Sequence, residues 1–175
     1  MTRHVAFLRA INVGGHTVKK DQLVAVFEGL GLAGVSTFLA SGNVRFGSDD
    51  PTAELERRIA AALATTLGYG VETFVRTDDE LAAVAGADPF GGAALESGES
   101  RHVAFLHLPP GQEALDAVLA YGNDGDVLAF VGRELHWLRR GPFSDSALSG
   151  PKLERALGVP TTVRNLNTVR RLASA

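Results

Sequence analysis

One hexapeptide occurs twice in this chain. Arg3-His4-Val5-Ala6-Phe7-Leu8 returns letter for letter as Arg101-His102-Val103-Ala104-Phe105-Leu106. Both copies are apolar on both parities. A strand with one wet face alternates between apolar and polar residues, so a strand without alternation is covered on both faces. The repeat therefore predicts two halves of like fold, each opening on a central strand, at residues 5–10 and 103–108.

The segments after each copy follow the same order. In the first half, residues 19–30 carry Leu23, Val26, Phe27 and Leu30 at helical spacing, with Gly31 as a stop. Residues 35–40 and 44–46 read as strands about a Ser41-Gly42-Asn43 turn. Asp50 is expected to cap a helix with Pro51 at its first position. Leu55, Ile59, Leu63 and Leu67 form the stripe of that helix, and Gly68 ends it. Residues 71–76 make a fourth strand. Asp78 is expected to cap a short helix over 79–85, and residues 86–100, rich in Gly, Ser and Glu, read as a linker.

In the second half, Pro109-Pro110-Gly111 turns the chain into a helix over 112–120, with Leu115, Val118 and Leu119 inward. Residues 126–131 and 134–139 form a hairpin about Gly132-Arg133. A helix lies within 146–157, a strand at 161–165 and a short helical tail at 168–172. Both halves thus read βαββαβ, the order of a ferredoxin-like unit. The fold class expected is α+β, with two tandem ferredoxin-like halves, 1–77 and 101–175, joined by a connecting helix and linker over 78–100. Each half is small and has a sheet face with no polar alternation, so the halves are expected to pack on each other.

Composition narrows the chemistry. The chain has no cysteine, which removes disulfides, thiolate nucleophiles and cysteine metal sites and suits a reducing, cytoplasmic compartment. No apolar run approaches the roughly 18 residues of a membrane span, and the N-terminus does not read as a signal peptide. The net charge of −3 is unevenly spread. Residues 1–48 carry +3, residues 49–132 carry −11 and residues 133–175 carry +5. Basic ends around an acidic middle would suit one patch for an anion, or simply a solvated middle.

Three motifs stand out: Arg9-x-Ile11-Asn12-Val13-Gly14-Gly15, Ser41-Gly42-Asn43-Val44-x-Phe46, and Thr161-Thr162-x-Arg164-Asn165-x-Asn167-Thr168. Together they resemble the markers of the bacterial family known as domain of unknown function 1697. The resemblance spans the chain and implies kinship and fold without an activity. Three positions depart from the family pattern: Ala10 stands for a usual glycine, Leu166 for a usual tryptophan and Lys20 for a frequent methionine. Any stacking role of the tryptophan is lost here.

In βαββαβ topology the end of the first strand and the turn between the second and third share an edge. That places Arg9, Asn12, Gly14 and Gly15 near Ser41 and Asn43. Glycines let backbone N–H groups approach a ligand, and a following helix offers its N-terminus to an anion; the same residues also suit a tight turn held by side-chain amides. In the second half, Arg139, Arg140, Lys152, Arg164, Asn165 and Asn167 are expected to converge. A guanidinium fork with amides suits a carboxylate or phosphate, although Arg164 would equally suit an ion pair within the fold.

Other chemistries find less support. His107 and His136 are two histidines without a third, so no metal or other cofactor is expected. His4 and His102 start strands, where an exposed imidazole is ordinary. Ser41 and Ser144 lack an evident histidine, and Asp78-Asp79 reads as a cap. RNA-recognition modules share this strand order and expose aromatics on it. Phe7, Phe46, Phe105 and Trp137 are instead expected in the core, and no nucleic-acid partner is expected for an acidic chain.

The reading is a cytoplasmic binding protein for a small anionic ligand, gripped by the three motifs. One alternative is an enzyme acting on such a ligand, with Arg9 or Arg164 as electrophilic support. Another is a structural or dimerising protein with no ligand. Oligomeric state is left open.

Overall fold

The protein is described from a computed structural model, which describes residues 1–92 and 95–175 and, at positions 40 and 41, the backbone path only. Two compact units divide the chain, Met1–Ala82 and Ala83–Ala175. Among the described residues there are two four-stranded antiparallel sheets and six α-helices, an α+β fold. No helix among them is long and apolar enough to cross a membrane.

The first unit holds β1 (Thr2–Leu8), α1 (Lys20–Gly29), β2 (Ala33–Phe38), β3 (Ala40–Ser48), α2 (Thr52–Leu67) and β4 (Thr73–Thr77). Its sheet order is β2-β3-β1-β4, so the apolar hexapeptide is central. Ala6, Leu8, Val44, Phe46 and Val75 on one face meet Leu23 and Phe27 of α1 and Leu55, Ile59 and Leu63 of α2. Val5, Phe7 and Phe74, on the opposite parity, are also fully buried, as the missing alternation requires.

α3 (Asp78–Gly86) leads into the second unit, which holds β5 (Glu99–Phe105), α4 (Gln112–Leu119), β6 (Asp126–Val131), β7 (Glu134–Arg140), α5 (Gly150–Leu157), β8 (Thr162–Asn165) and α6 (Leu166–Ala173). Its order, β6-β7-β5-β8, again centres the hexapeptide. Ala104, Leu106, Leu135 and Trp137 pack with Val118 of α4 and with Leu153 and Leu157 of α5. The four rings weighed as stacking platforms, Phe7, Phe46, Phe105 and Trp137, are all buried.

The differences from the sequence reading are local. β1 stops at Leu8, because Ala10 adopts a left-handed φ of 55°. Residues 41–43 lie in β3, not in a turn; the reversal falls at Leu39, φ 60°. Pro51 is the N-cap of α2, and Asp50 instead pairs with Arg58. α3 is capped one residue earlier than expected. The Glu80 N–H donates to Thr77 Oγ1 (3.1 Å), and the Thr77 N–H donates to Glu80 Oε2 (2.9 Å), a reciprocal capping box. β5 begins at Glu99, inside the expected linker, and ends at Phe105. Leu119 is exposed rather than inward.

Candidate ligand cleft

The loop after β1 is built to hold a shape. The Arg9 N–H donates to Glu72 O (2.9 Å), keeping the chain beside β4 for one residue more. Gly14 and Gly15 take φ values of 65° and 82°, which side chains resist. Asn12 Oδ1 accepts the Val18 N–H (2.8 Å) and spans the loop. Tyr69 stacks on His16 (4.1 Å between centroids) and donates its hydroxyl to Ile11 O (2.8 Å). Asn43 pairs in register with Phe7 and donates its amide to Phe38 O (3.2 Å). The end of β1 and the β2–β3 turn thus share an edge. Asn12 and Asn43 tie loops down there, and the side chain of Ser41 lies outside the described residues.

The second-unit residues divide. Lys152 donates its Nζ to Ala147 O (2.9 Å) and its backbone N–H to the Ser149 cap of α5 (3.4 Å). Arg139 is buried beside Asp126 (3.5 Å) and donates to Gly125 O and Pro142 O. Arg140 pairs with Glu99 (2.8 Å). Arg164, opposite Val103 in register, donates to Thr162 Oγ1 (2.8 Å) and Val163 O (3.0 Å). Burial pushes its guanidinium down to about 10, still cationic at neutral pH. None of these four lines the cleft described next.

That cleft, about 530 Å³, opens where β5 begins and β8 gives way to α6. Asn165 and Asn167 line it, together with Ser100, Arg101, Asp88 and Arg170. Asn165 is the N-cap of α6, its Oδ1 accepting the Asn167 N–H (2.9 Å). The first turn of α6 has no acidic side chain, so its partial positive charge is not countered locally. Both carboxylates on the wall are already paired: Asp88 with buried Arg101 (3.1 Å), Glu99 with Arg140 (2.8 Å). Arg170, on the same wall, makes a long hydrogen bond to Ala85 O (3.4 Å). The two carboxylates and two guanidinium groups of the lining balance, and Arg140, paired with Glu99 from outside the lining, adds one positive charge beside a polar cleft.

One more pair reaches this wall. Ser100 Oγ lies 2.8 Å from His102 Nε2. His102 is half-buried rather than exposed, its ring against Phe143 (4.2 Å) and edge-on to Trp137 (6.5 Å). Burial pushes its pKa below the usual 6.5, so it is neutral at pH 7. His4, at the equivalent position of the first unit, is buried too. It stacks on Phe46, with Nδ1 3.1 Å from Thr2 O.

Sequence reasoning anticipated Asn165 and Asn167 but missed Ser100, Arg101, Asp88 and Arg170. Two signals pointed to all but Asp88. The repeat extends one residue further at each start, as hydroxyl-Arg-His. The segment after the last strand places Arg170 one helical turn beyond Leu166, on the same face.

The chain matches the family model described as "Protein of unknown function (DUF1697)" over residues 1–136, a span that contains the first two motifs. A conserved bacterial protein, SP0830 from Streptococcus pneumoniae, has a similar structure. The TM-score is 0.71 at 20% sequence identity, covering 100% of this chain and 99% of that one; the likeness is one of fold. No curated protein matches the chain.

Proposed function

We propose that this chain, which belongs to the DUF1697 family of proteins of unknown function, binds a small carboxylate- or phosphate-bearing ligand in the cleft before α6. The observation that carries this reading is the charge balance of the wall. Asp88 and Glu99 are each matched by an arginine, which leaves Arg170 and the α6 N-terminus as the positive surplus. Asn165 and Asn167 add polar groups at the same place. A few convergent polar groups in a pocket of several hundred Å³ suit one small molecule. Each unit is read as a ferredoxin-like βαββαβ module with one further helix, and the strand orders β2-β3-β1-β4 and β6-β7-β5-β8 support that reading. In both units the extra helix follows the last strand directly, which in the second unit brings α6 to the cleft.

The test is calorimetric titration with inorganic phosphate, citrate and a nucleoside monophosphate. At least one should bind. Arg170→Met should then weaken it by about 1.5–3 kcal/mol, the scale of a charged hydrogen bond, with the circular dichroism spectrum unchanged. No binding at millimolar concentrations, or equal binding by the variant, would refute the reading.

A further inference from the structure

We propose that the chain forms a two-fold homodimer in which β6 pairs antiparallel with β6 of a second copy, joining the two second-unit sheets into one. The inference is independent of the anion-binding reading. β6 and β8 are opposite edges of their sheet, so the pairing leaves the cleft at the end of β8 open.

β6 is an edge strand with unused hydrogen-bonding groups. Gly132 and Arg133 form a two-residue turn, with Gly132 at φ 60°. Val131 and Glu134 flank that turn and pair in register, so they exchange both ladder bonds. Alternation then directs the N–H and C=O of Asp126, Leu128 and Phe130 away from β7. Asp126 agrees, since its N–H and C=O bond Asn123 (3.2 and 2.9 Å) outside the ladder. Among the described residues nothing bonds the same groups of Leu128 and Phe130.

The other three sheet edges are each closed. β2 shifts register twice against β3. On β4 the Val75 N–H donates to Glu56 (2.8 Å), and its C=O accepts from Arg76 (2.8 Å). β8 has only four residues, and Arg164 covers the Val163 C=O (3.0 Å). β6 has none of these devices. Its ladder with β7 is unbroken, and Val127–Val131 contains no charge, proline or glycine. An edge of that kind is a template for another strand.

The order of residues along the edge selects its own copy. With Ala129 on the two-fold axis, Leu128 faces Phe130 of the second copy, and Val127 faces Val131. Leu128 and Phe130 then use all their outward groups, and every facing pair is apolar. The pair on the axis is the close, non-hydrogen-bonded kind, about 4.5 Å between Cα atoms, and it is alanine against alanine. A register centred on Leu128 would set Phe130 against Asp126, whose backbone Asn123 already holds. One centred on Phe130 would set Leu128 against Gly132 of the turn. Leu128 and Phe130 pack on the core of their unit yet are only half-buried, and the pairing completes their cover. The interface is small, near or below the roughly 1,200 Å² at which stable complexes begin. The dimer is therefore reversible, with a Kd on the order of 1–100 μM.

The experiment is sedimentation velocity on the full-length protein across that range of concentration and above it. The mass should rise from the 18.4 kDa of one chain toward twice that value. Ala129→Lys brings two ammonium groups together on the axis and should weaken association by about tenfold or more. Ala129→Glu should do the same. The two variants mixed should form a heterodimer, because position 129 faces itself in this register alone. Val131→Lys, at a side chain 43% exposed, should also weaken association, and it carries the test if the position-129 variants lose the native circular dichroism spectrum. Wild type that stays monomeric at millimolar concentration overturns the proposal, even if its edge takes up an added apolar peptide instead. Association that Val131→Lys leaves unchanged overturns it by placing the dimer on another surface. Folded position-129 variants that form no heterodimer overturn the pairing, and so do assemblies larger than two copies, since the remaining edges are closed.

Discussion

Asp126 is the residue on which the ring cluster behind His102 depends, and replacing it tests that dependence. Its carboxylate is only 1% exposed. Oδ1 accepts from Trp137 Nε1 (2.9 Å) and Ser146 Oγ (2.8 Å). Oδ2 accepts the Ala147 N–H (3.3 Å) and faces Arg139 (3.5 Å). Asp126→Asn keeps the volume and the acceptor for Trp137. It turns an NH2 toward two donors, Ala147 N–H and the Arg139 guanidinium, if the amide oxygen stays with Trp137. The loss is one charge-assisted hydrogen bond, about 1.5–3 kcal/mol, plus part of the cost of a buried arginine without its counter-charge. Breaking a buried pair outright costs about 3–5 kcal/mol. Arg139 keeps Gly125 O and Pro142 O as acceptors, so the lower end applies, and about 3 kcal/mol is expected.

Urea denaturation followed by tryptophan fluorescence reports on Trp137, the chain's one tryptophan. With an m-value of about 2 kcal/mol per molar, the midpoint should fall by roughly 1.5 M. Asp124→Asn, at an exposed carboxylate nearby, should change stability by no more than about 0.5 kcal/mol. Burial works to raise the Asp126 pKa, but the hydrogen bonds from Trp137 and Ser146 and the Arg139 charge outweigh it and hold the group below its usual 3.8. A depressed carboxyl stabilises above its unfolded pKa and loses that contribution as pH falls through its folded value. The gap between wild type and variant should therefore persist at pH 5 and narrow only in stronger acid. A midpoint shift below about 0.3 M at pH 7, near 0.6 kcal/mol, would refute the role assigned to Asp126.

Phe105 is fully buried, so Phe105→Ala should cost about 3–5 kcal/mol by urea denaturation, and a loss under about 1 kcal/mol would contradict its place in the core. His4, His102 and His136 are each pushed below the usual 6.5, chiefly by burial, with Arg101 adding to the effect at His136. The unfolded chain then binds protons that the folded chain does not, so stability should fall as pH drops from about 7 and level off once the folded values are passed. Urea midpoints from pH 8 to pH 5 measure this above the carboxylate range, and a flat profile would contradict it.

Periodicity made the architecture legible. Apolar residues on both parities mark a covered strand whatever its neighbours, and the repeated hexapeptide made β1 and β5 equivalent centres before any contact was known. Gly31, Gly68 and Gly158 end helices because each can take the left-handed φ seen there, 79°, 81° and 70°. Position 10 shows both sides of this logic. The family resemblance leads one to expect glycine, and the backbone there is left-handed at φ 55°. Alanine bears a strain of roughly 1–2 kcal/mol in that region, held by the loop around it. Nothing in Leu39 announced a reversal, since leucine does not favour φ 60°; the pairing of β2 with β3 imposes it. The cleft was less legible still. Asn165 and Asn167 advertised themselves as amides beside a strand end, a local feature. Asp88 carries no mark that sets it apart from other surface charges, and only the fold sets it on one wall with Arg170 and Ser100. Arg3-His4 and Arg101-His102 read the same, yet one imidazole turns to a backbone oxygen and the other to a serine hydroxyl. Rings and hydroxyls choose among a few rotamers of similar energy, and the choice is made by Phe46 in one unit and by Phe143 and Trp137 in the other, none of which is a sequence neighbour of the histidine it holds.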